Sequence, residues 1–321
     1  MKDTDIILKT ENLCKYFKTP QGMLHAVDGV NFSIQQGQTL GVVGESGCGK
    51  STLGRALLHL TDITSGKIFF EGQDISNVKG RQLKQLRKQM QIIFQDPFSS
   101  LDPRMPVSEI IAEPFKIYNI CKTRNELNEK VSELMDIVGL AQRLKNVYPH
   151  ELDGGRRQRI GVARAIALNP KFIVCDEPVS ALDVSIQAQV INLLKDLQKE
   201  MKLTYIFITH DFSVVKHISD HIIVMYLGNV IESASKKDLF DNPMHPYTKA
   251  LLSAIPQPVY NAKKERIILK GEITSPIEPK PGCRFAPRCN FATEQCMQQT
   301  PQLQEITDGH FVACPLAQNL K

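Results

Sequence analysis

The chain has 321 residues, enough for one large domain and an appendix, and its 42% apolar and 23% charged residues describe a globular protein with ample core. A net charge of +5 spread over that length permits contact with nucleotide phosphates or an anionic membrane surface and proves neither. No apolar run reaches the roughly 18 residues of a membrane span, and the start MKDTDIILKTENL lacks a secretory pattern, so membrane association is expected only through a partner.

In chain order, β-type runs occupy residues 6–13, 24–34 and 39–43, then 67–70 and 91–94. From about 106 to 169 the apolar spacing turns helical, with Val131, Leu134, Ile137 and Val138 on one face. Strands return at 171–175, 204–208 and 221–225, and Val190, Leu193, Leu194, Leu197 and Met201 give the intervening helix its apolar face. Strands alternating with helices predict a mainly parallel sheet covered on both faces. Beyond Ile255 the composition shifts, with eight of the eighteen prolines in residues 256–321. A loop-rich accessory domain, held by something other than a large core, is expected there.

Gly44-Glu45-Ser46-Gly47-Cys48-Gly49-Lys50-Ser51-Thr52 follows a strand, precedes a helix and fits GxxxxGK[ST]. In such a loop the glycines let backbone N–H groups face phosphate, and the helix N-terminus adds a favourable dipole. Lys50 is expected at the β/γ-phosphates of ATP and Ser51 on Mg²⁺. A second acidic strand is needed for the metal, and Asp176-Glu177 closes the apolar run 172–175. Asp176 would hold Mg²⁺ through water and Glu177 would polarise the attacking water.

These motifs, with Ser180-Ala181-Leu182-Asp183, Gln95 after 91–94 and Thr209-His210-Asp211, resemble the ABC ATPase family over about residues 5–255. The resemblance implies an α/β P-loop NTPase with a RecA-like core, an antiparallel β subdomain and an inserted α-helical subdomain (about 96–168). The cassette would span 1–255, with a small cysteine-containing extension at 256–321. It further implies that Gln95 senses Mg²⁺ and the transmembrane partner, Asp183 lies at a dimer interface and His210 contacts the γ-phosphate. Phe17, with Tyr16 as runner-up, would stack on adenine; either could be core.

The family's LSGGQ signature reads Leu152-Asp153-Gly154-Gly155-Arg156 here. Asp153 replaces a serine that donates to the partner subunit's γ-phosphate, and two unit charges about 4 Å apart repel by roughly 4 kcal/mol at an effective dielectric of about 20. Arg156 offsets part of this, and Asp153 could instead turn aside as an N-cap. The resemblance thus implies a competent site on this chain's own loop and a degenerate signature offered to a partner's.

The segments 245–252, 275–276 and 282–289, with the stretch 95–105, are similar to the oligopeptide/dipeptide importer subfamily, in particular the downstream ATPase of a two-ATPase set. That implies an energy-coupling ATPase at the cytoplasmic face of the membrane. Its partners would be a second, non-identical ATPase, two permease subunits and, indirectly, an external binding protein, with no nucleic acid. Related members carry nickel, glutathione or antimicrobial peptides. A soluble ABC ATPase acting on ribosomes or DNA is the other class, but such chains usually have tandem domains or long insertions. Cys283, Cys289, Cys296 and Cys314, with 5, 6 and 17 residues between them, lack the close pairs of zinc sites and suit an iron–sulfur cluster. Zinc and free thiols stay open, and the subfamily resemblance points to 4Fe–4S.

Overall fold

The computed structural model describes residues 5–255, 266–271 and 274–318. The chain divides into two compact units, one of Met1–Asn77 with Phe207–Lys321 and one of Val78–Ile206. The described part of the tail therefore belongs to the same unit as the N-terminal strands.

In the first unit, Ile6–Thr19 and Gly22–Gln35 form a long antiparallel hairpin, extended by Ser65–Phe70 and Gln73–Asp74 into a four-stranded sheet. Both hairpin strands outrun their apolar signal. Cross-strand pairing carries them through the polar stretch in which Tyr16 faces His25 and Thr19 faces Gly22.

Thr39–Val43 is buried at all five positions, as a strand covered on both faces should be. It runs parallel to His221–Tyr226, with Leu40 opposite His221 and Val43 opposite Val224. His221–Tyr226 turns back into Asn229–Ser235, against which the tail lays His310–Val312 and then Gln304–Thr307. These two tail strands are too short to announce themselves by alternation.

Two devices anchor the tail in this unit. Glu232, fully buried, accepts from the backbone N–H groups of Met244 (2.7 Å) and His245 (3.0 Å), and its carboxylate meets His310 Nε2 at 2.8 Å. Phe285 packs edge-on to Tyr226 and Tyr247 within the unit's apolar core. Part of what holds the tail is thus core after all.

The second unit is mainly helical: Gly80–Gln89, Val107–Ile117, Arg124–Ile137, Gly154–Ile166 and Val184–Met201. Val131 and Leu134 are buried on the expected face, whereas Ile137 is exposed where its helix ends. Two parallel strands, Met90–Ile93 and Phe172–Asp176, run in register from Met90/Phe172 to Ile93/Cys175. Their common C-terminal end carries the acidic pair.

Candidate functional site

The strand Thr39–Val43 leads into the glycine loop and the helix Lys50–Leu57 leaves it. Gly49 caps that helix at φ 104°, a region closed to side chains, and a Cβ there would stand 1.9 Å from the Ala26 carbonyl oxygen. Lys50 is buried, and its Nζ donates to the carbonyls of Gly44 (2.8 Å) and Glu45 (2.9 Å). The loop thus curls around an ammonium, with Ser51 and Thr52 in the helix's first turn. Burial pushes the Cys48 thiol up, against the pull of the neighbouring Lys50 charge.

His210 follows Thr209, whose N–H donates to the Val42 carbonyl at 3.1 Å. That bond ties the exposed histidine to the strand feeding the loop. Asp211 fixes the other side by capping Phe212–Ile218 through the Ser213 N–H at 2.7 Å. The two aromatic candidates are separated by their surroundings. Tyr16 stacks on His25 (3.9 Å between centroids) and donates to Asp28 at 2.5 Å, whereas Phe17 is exposed beneath the Lys15 ammonium.

The second unit gathers the other candidates. Asp176 is buried at the end of its strand, and Glu177 adopts φ 47°, a left-handed conformation costly for a residue with a side chain. Its carboxylate accepts from Gln95 Nε2 at 3.0 Å, so two residues 82 apart in sequence meet. Their strands are parallel neighbours, which places the two turns side by side.

Asp153 is an N-cap. One carboxylate oxygen accepts from the Arg156 N–H at 2.8 Å, and the other lies 3.5 Å from the Arg156 guanidinium. The cap is realised in the geometry, because an unsatisfied helix N-terminus attracts a short carboxylate, and it leaves that charge at the helix start. Asp183 likewise caps Val184–Met201 through the Ile186 N–H at 3.0 Å. The two helix starts abut: a Cβ on Gly155 would stand 2.4 Å from Ile186 Cγ2, and one on Gly154 3.0 Å from Leu182.

Among the described residues, no three His, Cys, Asp or Glu side chains gather closely enough to hold a single metal ion. The four tail cysteines nonetheless share one environment. Burial pushes the Cys314 thiol up to about 11, with the three other tail cysteines contributing less. Backbone N–H groups serve the sulfurs: Phe285 and Ala286 at Cys283, Phe291 at Cys289 and Leu316 at Cys314.

The family model described as ABC transporter matches residues 27–180, and one described as the C-terminal region of oligopeptide/dipeptide transporters matches 231–296. The chain is 53% identical to the oligopeptide transport ATP-binding protein AppF of Bacillus subtilis, across 97% of this chain and 98% of that protein. The chain belongs to the ABC transporter family, in its oligopeptide/dipeptide branch. It is also 53% identical to the oligopeptide transport ATP-binding protein OppF of Haemophilus influenzae, over 93% of this chain and 90% of that one. Among solved structures, the dimeric ATP-binding cassette MJ0796 in a post-hydrolysis state with ADP and Pi superposes at TM-score 0.66. It shares 28% identity and covers 72% of this chain and 99% of its own.

As an ABC cassette the chain has the P-loop core, antiparallel sheet and inserted helices expected, together with short tail strands. Three contributors went unseen in the sequence. Arg157 reaches back to the Pro149 carbonyl (2.6 Å) and lies over Phe98, tying the signature helix to the segment after Gln95. Tyr247 and Arg288 both hold Glu45 of the phosphate loop. Arg288 falls within the subfamily segment 282–289, but its partner 243 residues away is invisible to local reading.

Proposed function

We propose that this chain is the ATP-hydrolysing, energy-coupling subunit of an importer of di- and oligopeptides. The observation that carries the reading is a complete phosphate loop around a buried Lys50, in a chain half identical to oligopeptide transport ATP-binding proteins along nearly its whole length. Lys50 and the loop N–H groups bind the β/γ-phosphates, Ser51 and Asp176 hold Mg²⁺, and Gln95 and Glu177 order the attacking water. His210 reads the γ-phosphate, and Phe17, with its exposed face, stacks on adenine in preference to Tyr16. The cassette is assigned to 1–255 and the accessory region to 256–321. No helix among the described residues is long and apolar enough to cross a membrane. The chain works at the cytoplasmic face on two permease subunits, beside a second, non-identical ATPase and fed by an external binding protein. The test is reconstitution: peptide-loaded binding protein should stimulate ATP turnover and peptide uptake by the assembled complex. Stimulation by nickel or glutathione carriers alone would redirect the cargo, and co-purification with ribosomes would overturn the class.

The two ATP sites of the complex are unequal, because the partner's site faces Asp153 where a serine would donate. The Arg156 pairing and the half-exposed setting screen that charge. Serine caps a helix as well as aspartate does, so Asp153→Ser should keep the fold and speed turnover at the partner's site by up to about tenfold. Unchanged occupancy and rate at that site would leave Asp153 as a cap only.

The tail cysteines hold a 4Fe–4S cluster, which would cross-link a segment with little core of its own. Anaerobically purified full-length protein should carry about four irons per chain with broad visible absorbance, and Cys289→Ser or Cys296→Ser should reduce both. Stoichiometric zinc without iron would refute the cluster. Because the unligated thiols of Cys283, Cys289 and Cys314 are held protonated by burial, loading should release protons and weaken as pH falls.

A further inference from the structure

Glu45 is the only acidic residue of the loop 44–52, and each of its polar groups is engaged. Its carbonyl accepts from Lys50 Nζ (2.9 Å), and its N–H donates to the Tyr247 hydroxyl (2.9 Å). Its carboxylate receives Arg288 in a two-pronged pair, Nη1 to Oε2 at 2.7 Å and Nη2 to Oε1 at 3.1 Å. Two of the three fastenings come from the region matched as the oligopeptide/dipeptide transporter C-terminal region. Tyr247 stands in the helix Pro246–Ser253, and Arg288 stands between Cys283 and Cys289.

The pair is built rather than incidental. The Arg288 side chain is 8% exposed, its guanidinium lies over the Tyr226 ring, and Tyr226 packs on Phe285 and Tyr247. A planar fork on a carboxylate fixes orientation as well as charge, which a lysine cannot reproduce.

We propose that Arg288, with Tyr247, is a positioning residue for the phosphate loop, so that the cysteine-bearing tail sets this cassette's affinity for nucleotide. Without Arg288, the Glu45 carboxylate is left partly buried and uncompensated in the loop that must receive an anion. The carbonyls that orient Lys50 then lose their anchor. The inference rests on the reading that this loop binds ATP.

The test uses full-length protein and equilibrium binding of a fluorescent ATP analogue with Mg²⁺, beside thermal melting. Arg288→Gln should weaken binding by roughly tenfold or more, and Arg288→Lys should restore only part of it. Glu45→Gln removes the charge to be neutralised, so adding Arg288→Gln to that background should change affinity by less than about threefold. Coupling of this kind, at matched melting temperatures, supports positioning, because simple loosening of the tail would weaken binding equally in both backgrounds. Equal losses in both backgrounds, or parental affinity in Arg288→Gln, overturn the proposal. If Arg288→Gln does not fold, Tyr247→Phe decides: losing the hydroxyl that receives the Glu45 N–H should weaken binding, and parental affinity in that variant overturns the proposal. Failure of the parent itself to bind the analogue would instead remove the ATP-binding reading beneath it.

Discussion

Glu177→Gln is expected to leave ATP binding intact while lowering turnover of the assembled transporter roughly a hundredfold or more, the usual range for losing a group that takes a proton from the attacking water. The structure makes this a clean substitution. Glutamine keeps the length and an acceptor oxygen for Gln95 Nε2, now at 3.0 Å from the carboxylate, so the contact between the two turns survives. Only the negative charge is lost. The positive φ of Glu177 bears on the same point, since a residue held in an unfavourable backbone conformation is held there by its surroundings. Phosphate release and trapped nucleotide should be followed together, and parental turnover in the variant would end the assignment of Glu177.

Gly49→Ala is expected to abolish nucleotide binding by this chain. At φ 104°, alanine is strained before any neighbour is considered, and its Cβ would stand 1.9 Å from the Ala26 carbonyl oxygen, a backbone atom with no side-chain freedom to yield. The loop must shift, and with it the first turn that carries Lys50 and Ser51. Gly161→Ala is the control: that glycine lies inside the helix Gly154–Ile166 with nothing within 4 Å of an added Cβ. There alanine should raise stability by about 0.5–1 kcal/mol with binding unaltered. Retained binding in Gly49→Ala would mean that the loop does not close on phosphate in this conformation.

The parts of the site that were legible in the sequence are those whose chemistry is consecutive. Nine residues from Gly44 to Thr52 contain the glycine turns, the cation and the hydroxyls together, and Asp176-Glu177 ends a strand that reads as buried. The contact between Gln95 and Glu177 depends on which strands are neighbours, and register across a parallel pair has no local signal. Asp153 was legible in both its readings, and the Arg156 N–H shows the cap without removing the charge. The tail was the least readable part. Its proline and polar composition suggested loops, yet it adds two strands, buries Phe285 among aromatics and closes Arg288 on the phosphate loop, all through partners far away in sequence.

Those tail strands also bear on how the chain is made. Asn229–Ser235 is synthesised well before His310–Val312, and until that later segment emerges it has an open edge of unpaired N–H and C=O groups. During the interval Glu232 also lacks its imidazole partner. An uncovered edge of this kind is a template for pairing with another chain. Nascent chains crowded on one messenger are thus exposed to mutual sticking, and the outermost strand, Gln304–Thr307, gives the finished molecule a short polar rim in place of that hazard.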